Sequence, residues 1–316
     1  MKSKMSDRVL RLGTRGSLLA RTQAQWIAEA VINQNGELIE EIIIRTDGDD
    51  ITTSLVSPAR PGVFVTALRS ALIRNEVDFI VHSYKDLPSA PEPGISIAAT
   101  PLREDPRDVL ISREGLRLDQ LPSGARVGTS SPRRGSRISF LRPDLIILPM
   151  RGNVDSRLRK VMDGEFDAAV LAAAGLNRVG RSDAIVEYLT LDQLIPAPAQ
   201  GALAVECRSE DLDLLRELSN LNDPLTQLCT AAERAVLVGI GATCATAIGA
   251  YATFGDGSLT LAAELSDPLL NEHVRVVMQS DDVDLLDIQN ATKLGMTVAG
   301  KIRSTSLGTR LRGIHE

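Results

Sequence analysis

The feature that most limits how this chain can fold is a short apolar strand, then Gly-Thr, then a Ser-capped helix, and it occurs twice. It stands at LGTRGS (12–17) and again at VGTSSP (127–132). Behind the first opening, a strand over 9–13, the spacing predicts a helix over 18–32, with Leu19, Trp26, Ile27 and Ala30 on one face. A β-branched strand over 41–46 follows, then a helix over 62–75 with Phe64, Leu68, Ala71 and Leu72 aligned, then a buried-type strand over 78–83. Behind the second opening, a strand over 126–128, comes a helix over 131–141 with Pro132 at its favoured first position. A strand over 145–148, a helix over 154–162 and a strand over 167–172 complete the series. Strands alternating with helices predict parallel βαβ units in a doubly wound sheet. Two like openings predict two similar α/β domains descended from a duplication.

After these, PAPAQGALAVEC (196–207) reads as a Pro-containing hinge or return crossing followed by a strand. Asp223-Pro224 caps a helix to about 238, and alternating segments follow at 247–254, 259–265 and 273–279, before a helix from about 283 to 304. That predicts a small α+β domain with a three-stranded antiparallel sheet. The expected domains are 1–101 with 202–221, 102–201, and 222–316, in keeping with a chain of 316 residues, too long for one ordinary core.

A net charge of −6 and an aromatic content of 3% argue against a nucleic-acid partner. The charge is uneven, with nine Arg or Lys against two Asp between Arg126 and Lys160, which points to a local anion site. No run approaches about 18 apolar residues, so no membrane span is expected. The start, MKSKMSDRVLRLG, lacks the apolar core of a signal peptide, so the expected location is cytoplasmic. Cys207, Cys229 and Cys244 are few, odd in number and widely spaced, as in a reducing compartment. With three histidines and no CxxC or HxxxH spacing, no metal is expected. No long exposed apolar stripe is obvious, and the chain is expected to be a monomer.

The arginines fall at corresponding turns. Arg15 follows a strand and leads into a helix; Arg133 and Arg134 sit in a first turn after Thr129, Ser130 and Ser131; Arg151 and Arg157 straddle the next strand-to-helix turn. Ligands of open α/β sheets bind beyond the carboxyl ends of the strands, where helix N-termini favour anions. Arginine in a first turn runs against the helix dipole. One such arginine is equally well a solvated surface residue, but the set favours a ligand. The planar guanidinium fork suits carboxylates; phosphate is the rival anion, although no Walker-type loop is present. At the end of the 78–83 strand, His82-Ser83-Tyr84-Lys85-Asp86 puts ionisable groups at a sheet mouth, where chemistry usually sits. By position alone Asp86 serves equally as a turn residue before Leu87-Pro88, and His82 reads as a core histidine.

Taken together these segments resemble the porphobilinogen deaminase family, in order and over nearly the whole chain. The matching stretches are GTRGSLLA (13–20), PGVFVTAL (61–68), VHSYKDLP (81–88), REDPRD (103–108), VGTSSPRR (127–134), PDLIILPMRGNVDSRL (143–158), PAPAQGALAVECR (196–208) and TAAERA (230–235). The resemblance implies two doubly wound domains like those of periplasmic binding proteins, plus a small third domain. It implies a transferase that joins four porphobilinogen molecules head to tail into hydroxymethylbilane, releasing ammonia, in tetrapyrrole and haem biosynthesis. It implies a dipyrromethane cofactor bound by a thioether to Cys244 and a catalytic carboxylate at Asp86. It gives Ser83, Lys85, Thr129, Ser130, Ser131, Arg133, Arg134, Asn153 and Arg157 to the cofactor. Arg15, Ser17, Arg151, Arg178, Gln200 and Gly201 go to the substrate.

The chain departs from the family around the cysteine, with Gly241, Thr243 and Ala247 where an acidic residue, glycine and proline are usual, and at Pro61, where lysine is common. Thr243 adds bulk and stiffness to the turn. Two rival readings start from the same architecture. A solute-binding protein would need an export signal, and a regulator would bring a helix-turn-helix. A catalytically dead relative would be expected to lose Asp86 and the arginines, which are present.

Overall fold

The computed structural model describes residues 9–44, 63–243, 245–267, 272–281, 284 and 287–312. Cys244, Pro61 and the expected element ends at 46 and 283 lie outside the described residues, as does the side chain of Phe64. The chain divides into two compact units, Met1–Arg103 with Ala202–Thr226 and Glu104–Gly201 with Gln227–Glu316.

In chain order the elements begin with β1 (Val9–Thr14), α1 (Leu18–Asn35), β2 (Leu38–Ile43), α2 (Val63–Ile73), β3 (Phe79–Ser83) and β4 (Ile95–Ala99). Next come β5 (Asp108–Ser112), β6 (Arg126–Gly128), α3 (Pro132–Leu141), β7 (Ile146–Leu148), α4 (Val154–Met162), β8 (Ala168–Ala172), α5 (Ala173–Arg178) and β9 (Glu187–Tyr188). The chain then passes through β10 (Leu203–Arg208), α6 (Leu212–Ser219) and α7 (Pro224–Ile240). It ends with β11 (Ile248–Gly255), β12 (Ser258–Asp267), β13 (Glu272–Ser280), α8 (Ile288–Arg303) and α9 (Ser306–Arg312).

Among the described residues the first unit's sheet runs β2-β1-β3-β10-β4 and the second unit's runs β7-β6-β8-β5-β9. The two orders match position by position. In each sheet the first three strands are mutually parallel and the fourth is antiparallel to both neighbours. The expected parallel βαβ units supply the first three strands of each sheet, and the fourth strand runs against them. A parallel neighbour requires a crossover of a dozen or more residues, usually a helix. β10 re-enters the first unit after the chain has passed through the second, and β5 opens the second unit, so neither closes a βαβ step. Pairing β5 antiparallel to β8 brings the first residue of β5, Asp108, opposite the last of β8, Ala172.

The helix faces follow the cores. In α2, Leu68, Ala71 and Leu72 are buried as their spacing predicts. In α1, Trp26 is 45% exposed, and the buried stripe is Gln23, Ala24, Ile27 and Val31. A polar Gln23 is tolerated there because its amide donates to Ser83 Oγ at 2.9 Å. In the second unit, β11, β12 and β13 form an antiparallel sheet. Leu261, Ala263 and Leu265 of β12 pack with Val236 of α7 and Val298 and Ile302 of α8. Cys207 and Cys229 are buried, and burial pushes the Cys207 thiol up to about 12, as expected of inert core residues. No described helix is long and apolar enough to cross a membrane.

The third sheet meets α3 through a charged seam. Arg137 Nη1 lies 3.3 Å from His273 Nε2, and the His273 ring stands edge-to-face on Phe140 at 4.2 Å. Arg137 and Arg275 share Glu264, at 3.7 and 2.8 Å, and both donate to the Asp192 carbonyl. A guanidinium can only donate, so His273 Nε2 accepts and the ring is neutral. Burial, then the two arginines against Glu264, lowers the His273 pKa. The unfolded chain therefore takes up this proton first as pH falls. The contribution of His273 is intact above about pH 6.5 and is lost on acidification below it. His273→Gln should reduce the drop in melting temperature between pH 7.5 and pH 5.5; an unchanged drop would remove His273 as its source.

Candidate functional site

In the first unit, β1 and β3 are parallel neighbours, with Leu12 beside Phe79 and Gly13 beside Ile80. Their carboxyl ends therefore open on the same edge. Arg15 and Ser17 follow β1; Ser17 caps α1, its Oγ accepting from the Ala20 N–H. Ser83 ends β3, and Tyr84, Lys85 and Asp86 make one 3₁₀ turn. Asp86 is exposed, and among the described residues no donor or cation pairs with its carboxylate. Beneath this turn lies a buried ionic cluster that anchors β3 to β10. Arg69 donates to both oxygens of Glu206 at 3.0 and 2.6 Å, and His82 Nε2 stands 3.4 Å from Glu206 Oε2. Burial alone would raise the Glu206 carboxyl, but His82 and Arg69 hold it below its ordinary value. His82 is the core histidine the sequence suggests.

In the second unit, the ends of β6, β7 and β8 carry the remaining expected residues. Thr129 donates its N–H to the Leu148 carbonyl, and Ser130 Oγ donates to the Met150 carbonyl at 2.8 Å. These bonds tie the turn after β6 to the turn after β7. Ser131 caps α3 by accepting from the Arg134 N–H, and Asn153 caps α4 by accepting from the Ser156 N–H at 2.9 Å. Arg151 and Asn153 are exposed. Arg157 is half-buried and folds its Nε back onto the Gly152 carbonyl at 2.8 Å. Gly152 has φ +119°, and a Cβ there would fall 2.1 Å from Ser156 Oγ, so this turn requires glycine.

Arg133 and Arg134 differ from the other arginines. Each is 6% exposed, and both are bound to Asp108, which is fully buried. Arg133 Nη1 donates to Asp108 Oδ2 and to the Ile195 carbonyl, both at 2.7 Å. Arg134 reaches Asp108 Oδ1 through Nε at 2.8 Å and Nη2 at 2.7 Å, and the Val170 carbonyl through Nη1. Burial opposes ionisation of Asp108, but the two arginines prevail and hold its carboxyl far below the usual range. Two guanidiniums and one carboxylate leave a net charge of +1 at this sheet end. Gln200 is buried beneath them, its Nε2 donating to the Pro106 carbonyl at 2.7 Å and to Asp108 Oδ1 at 3.1 Å. In this arrangement its amide braces the arginine pair. Arg178, at the end of α5, is half-buried and donates to the Gly201 carbonyl at 2.7 Å.

Sequence reasoning missed Asp108. The signal available was a charged residue opening a strand-like run with an apolar centre, DVLIS, which demands a buried partner. Glu233 was also missed as a structural residue. Its carboxylate is 0% exposed and accepts from the N–H groups of Ala199 at 2.6 Å and Ala252 at 2.9 Å. Ala199 has φ +61°, a strained conformation for alanine that these bonds sustain. With Ala250 donating to the Pro196 carbonyl, the 195–201 passage is fastened to α7 and β11 on one side and the arginine pair on the other. This is why 104–201 and 227–316 form one compact unit.

The α7–β11 loop carries Cys244. Around it, Thr246 Oγ1 accepts from the Thr243 N–H at 2.9 Å, and Thr243 Oγ1 accepts from the Ala245 N–H at 3.3 Å. The two threonines make a hydrogen-bonded turn. Gly241 has φ +72° at the end of α7.

Two family models match the chain. "Porphobilinogen deaminase, dipyromethane cofactor binding domain" matches residues 10–216, and "Porphobilinogen deaminase, C-terminal domain" matches residues 227–304. A porphobilinogen deaminase of Nocardia farcinica is 52% identical over 243 residues, covering 77% of this chain and 70% of its own. One of Thermobifida fusca is 45% identical over 298 residues, covering 93% of each. Among solved structures, an ABC transporter periplasmic substrate-binding protein from Coxiella burnetii is similar at a TM-score of 0.43 and 15% identity, over 71% of this chain and 96% of its own. With its family models spanning both units and relatives close to half identical, the chain belongs to the porphobilinogen deaminase family.

Proposed function

We propose that this chain is a cytoplasmic, monomeric hydroxymethylbilane synthase. It takes porphobilinogen as substrate and releases ammonia as it joins four molecules head to tail. The observation that carries the reading is Asp86, an exposed carboxylate at the carboxyl end of β3 without a partner among the described residues, in a family member whose buried Asp108 and Glu206 are both tied to arginines.

The donors at the ends of β6 and β7 fit a cofactor bearing several carboxylates. Arg151 is exposed, Arg157 is held by the Gly152 turn, and Arg133 and Arg134 leave a net positive charge braced by Asp108. Bound through a thioether to Cys244, the dipyrromethane would supply the free pyrrole carbon from which the product grows. Ser83, Lys85, Thr129, Ser130, Ser131, Arg133, Arg134, Asn153 and Arg157 would hold its carboxylates. Arg15, Ser17, Arg151 and Arg178 would take the acetate and propionate groups of substrate, with Gln200 and Gly201 shaping the wall. The Asp86 carboxylate would accept hydrogen bonds from pyrrole N–H groups, stabilise positive charge as ammonia departs and accept a proton. Among the described residues no cation competes for it, which leaves that capacity available.

Incubation of the purified protein with porphobilinogen tests the reading. Ammonia release matched to porphobilinogen consumption, with a linear tetrapyrrole as product, supports it. No consumption by cofactor-loaded protein overturns it. Cys244→Ser should abolish both the cofactor and turnover.

A further inference from the structure

Glu104, Asn177 and Arg178 form a second polar cluster beside Gly201, apart from the arginine pair. Asn177 Nδ2 donates to Glu104 Oε1 at 3.0 Å, and the Asp105 N–H donates to the same oxygen at 2.9 Å. Arg178 Nη2 and the Glu104 N–H both donate to the Gly201 carbonyl, at 2.7 and 3.2 Å. That shared carbonyl holds the guanidinium next to the Glu104 backbone. Gly201 has φ +89°, and a Cβ there would lie 2.3 Å from the Glu104 carbonyl oxygen, so the close approach depends on glycine.

Three functions in this cluster are left over. Glu104 Oε2 takes no partner among the described residues. The other N–H groups of Arg178 take none either, and Glu104 acts on this guanidinium only through space, without an ion pair. Burial pulls Arg178 down to about 10, still protonated at neutral pH, so a desolvated cation stands without a bound carboxylate. Asn177 Oδ1 is buried with no donor among the described residues. Its orientation is fixed, because a flipped amide would turn oxygen toward the Glu104 carboxylate. A buried acceptor left without a donor points to a bound water or ligand.

A cation with donors to spare, a carboxylate oxygen and an amide oxygen with acceptor positions to spare, all fixed on one backbone node, complement a zwitterion. We propose that Glu104, supported by Asn177, receives the aminomethyl ammonium of the incoming pyrrole while Arg178 takes one of its carboxylates. Glu104 thereby determines specificity for an amine-bearing substrate. This rests on the proposed function, and it adds a residue that selects for the leaving group.

The test compares cofactor-loaded wild type with Glu104→Gln, using porphobilinogen as substrate and, as inhibitor, the same pyrrole with methyl in place of aminomethyl. The substitution keeps a side-chain oxygen for Asn177 and Asp105 and replaces the charged Oε2 acceptor with an uncharged NH2 group. The KM for porphobilinogen should rise about tenfold to a hundredfold, the factor for one charge-assisted hydrogen bond. The inhibition constant of the methyl analogue should stay within about twofold. Equal weakening of both ligands would make Glu104 a mere support for its loop, and no change in either would mean that it meets no ammonium; each overturns the proposal. An inactive wild type would instead defeat the proposed function, and this inference with it, and would be seen in the wild-type arm alone.

Discussion

Replacing Asp86 with alanine should lower turnover about 10²–10⁴-fold, the range for a group that stabilises developing charge and moves a proton. The same variant should keep its melting temperature and its bound cofactor mass. The combination follows from geometry. Asp86 is exposed and has no partner among the described residues, so truncation breaks no bond of the fold. The turn holding it is anchored elsewhere, by Gln23 on Ser83 and by Arg69 and His82 on Glu206. Asp86→Asn should fall nearly as far, since it keeps the shape and loses the charge. Single-turnover rates with porphobilinogen, beside thermal melts, check this. A rate within a few-fold of wild type would remove Asp86 from the mechanism.

Asp108→Ala should do the opposite and break the structure. It leaves Arg133 and Arg134 buried without their shared carboxylate, a change that costs about 3–5 kcal/mol when one partner of a buried pair is removed. Gln200 and the Ile195 carbonyl belong to the same cluster, so damage should spread into the 195–201 passage. A lower urea midpoint, with faster hydrogen exchange over 195–201 than over β1 and β3, is the expected result. An unchanged midpoint would mean that the arginine pair does not depend on Asp108.

What was legible in the sequence was mostly local. Ser17, Ser131 and Asn153 cap helices as their positions imply, and Pro132 opens α3, because capping is decided within four residues. The repeated Gly-Thr opening foretold two similar α/β domains, and their sheets share one strand order. What was hidden depends on partners far along the chain. Asp108 meets Arg133 and Arg134 some 25 residues later and Gln200 after 92, and Glu233 reaches back 34 residues to Ala199. No spacing rule reports such pairings. The antiparallel β5 and β10 were missed for the same reason, since strand direction follows from which unit the chain is entering. Trp26 was misplaced because periodicity marks a stripe but not which edge of it the sheet covers. Gln23, a polar residue inside that stripe, was the better clue to the site through its bond to Ser83.

The most direct test of the account is the intact mass of the denatured protein, with mapping of the peptide that contains Cys244, before and after incubation with porphobilinogen. The account predicts an excess equal to one two-pyrrole adduct on that peptide, present at the start or acquired on incubation. A bare chain mass in both states, or an adduct on Cys207 or Cys229, would contradict it.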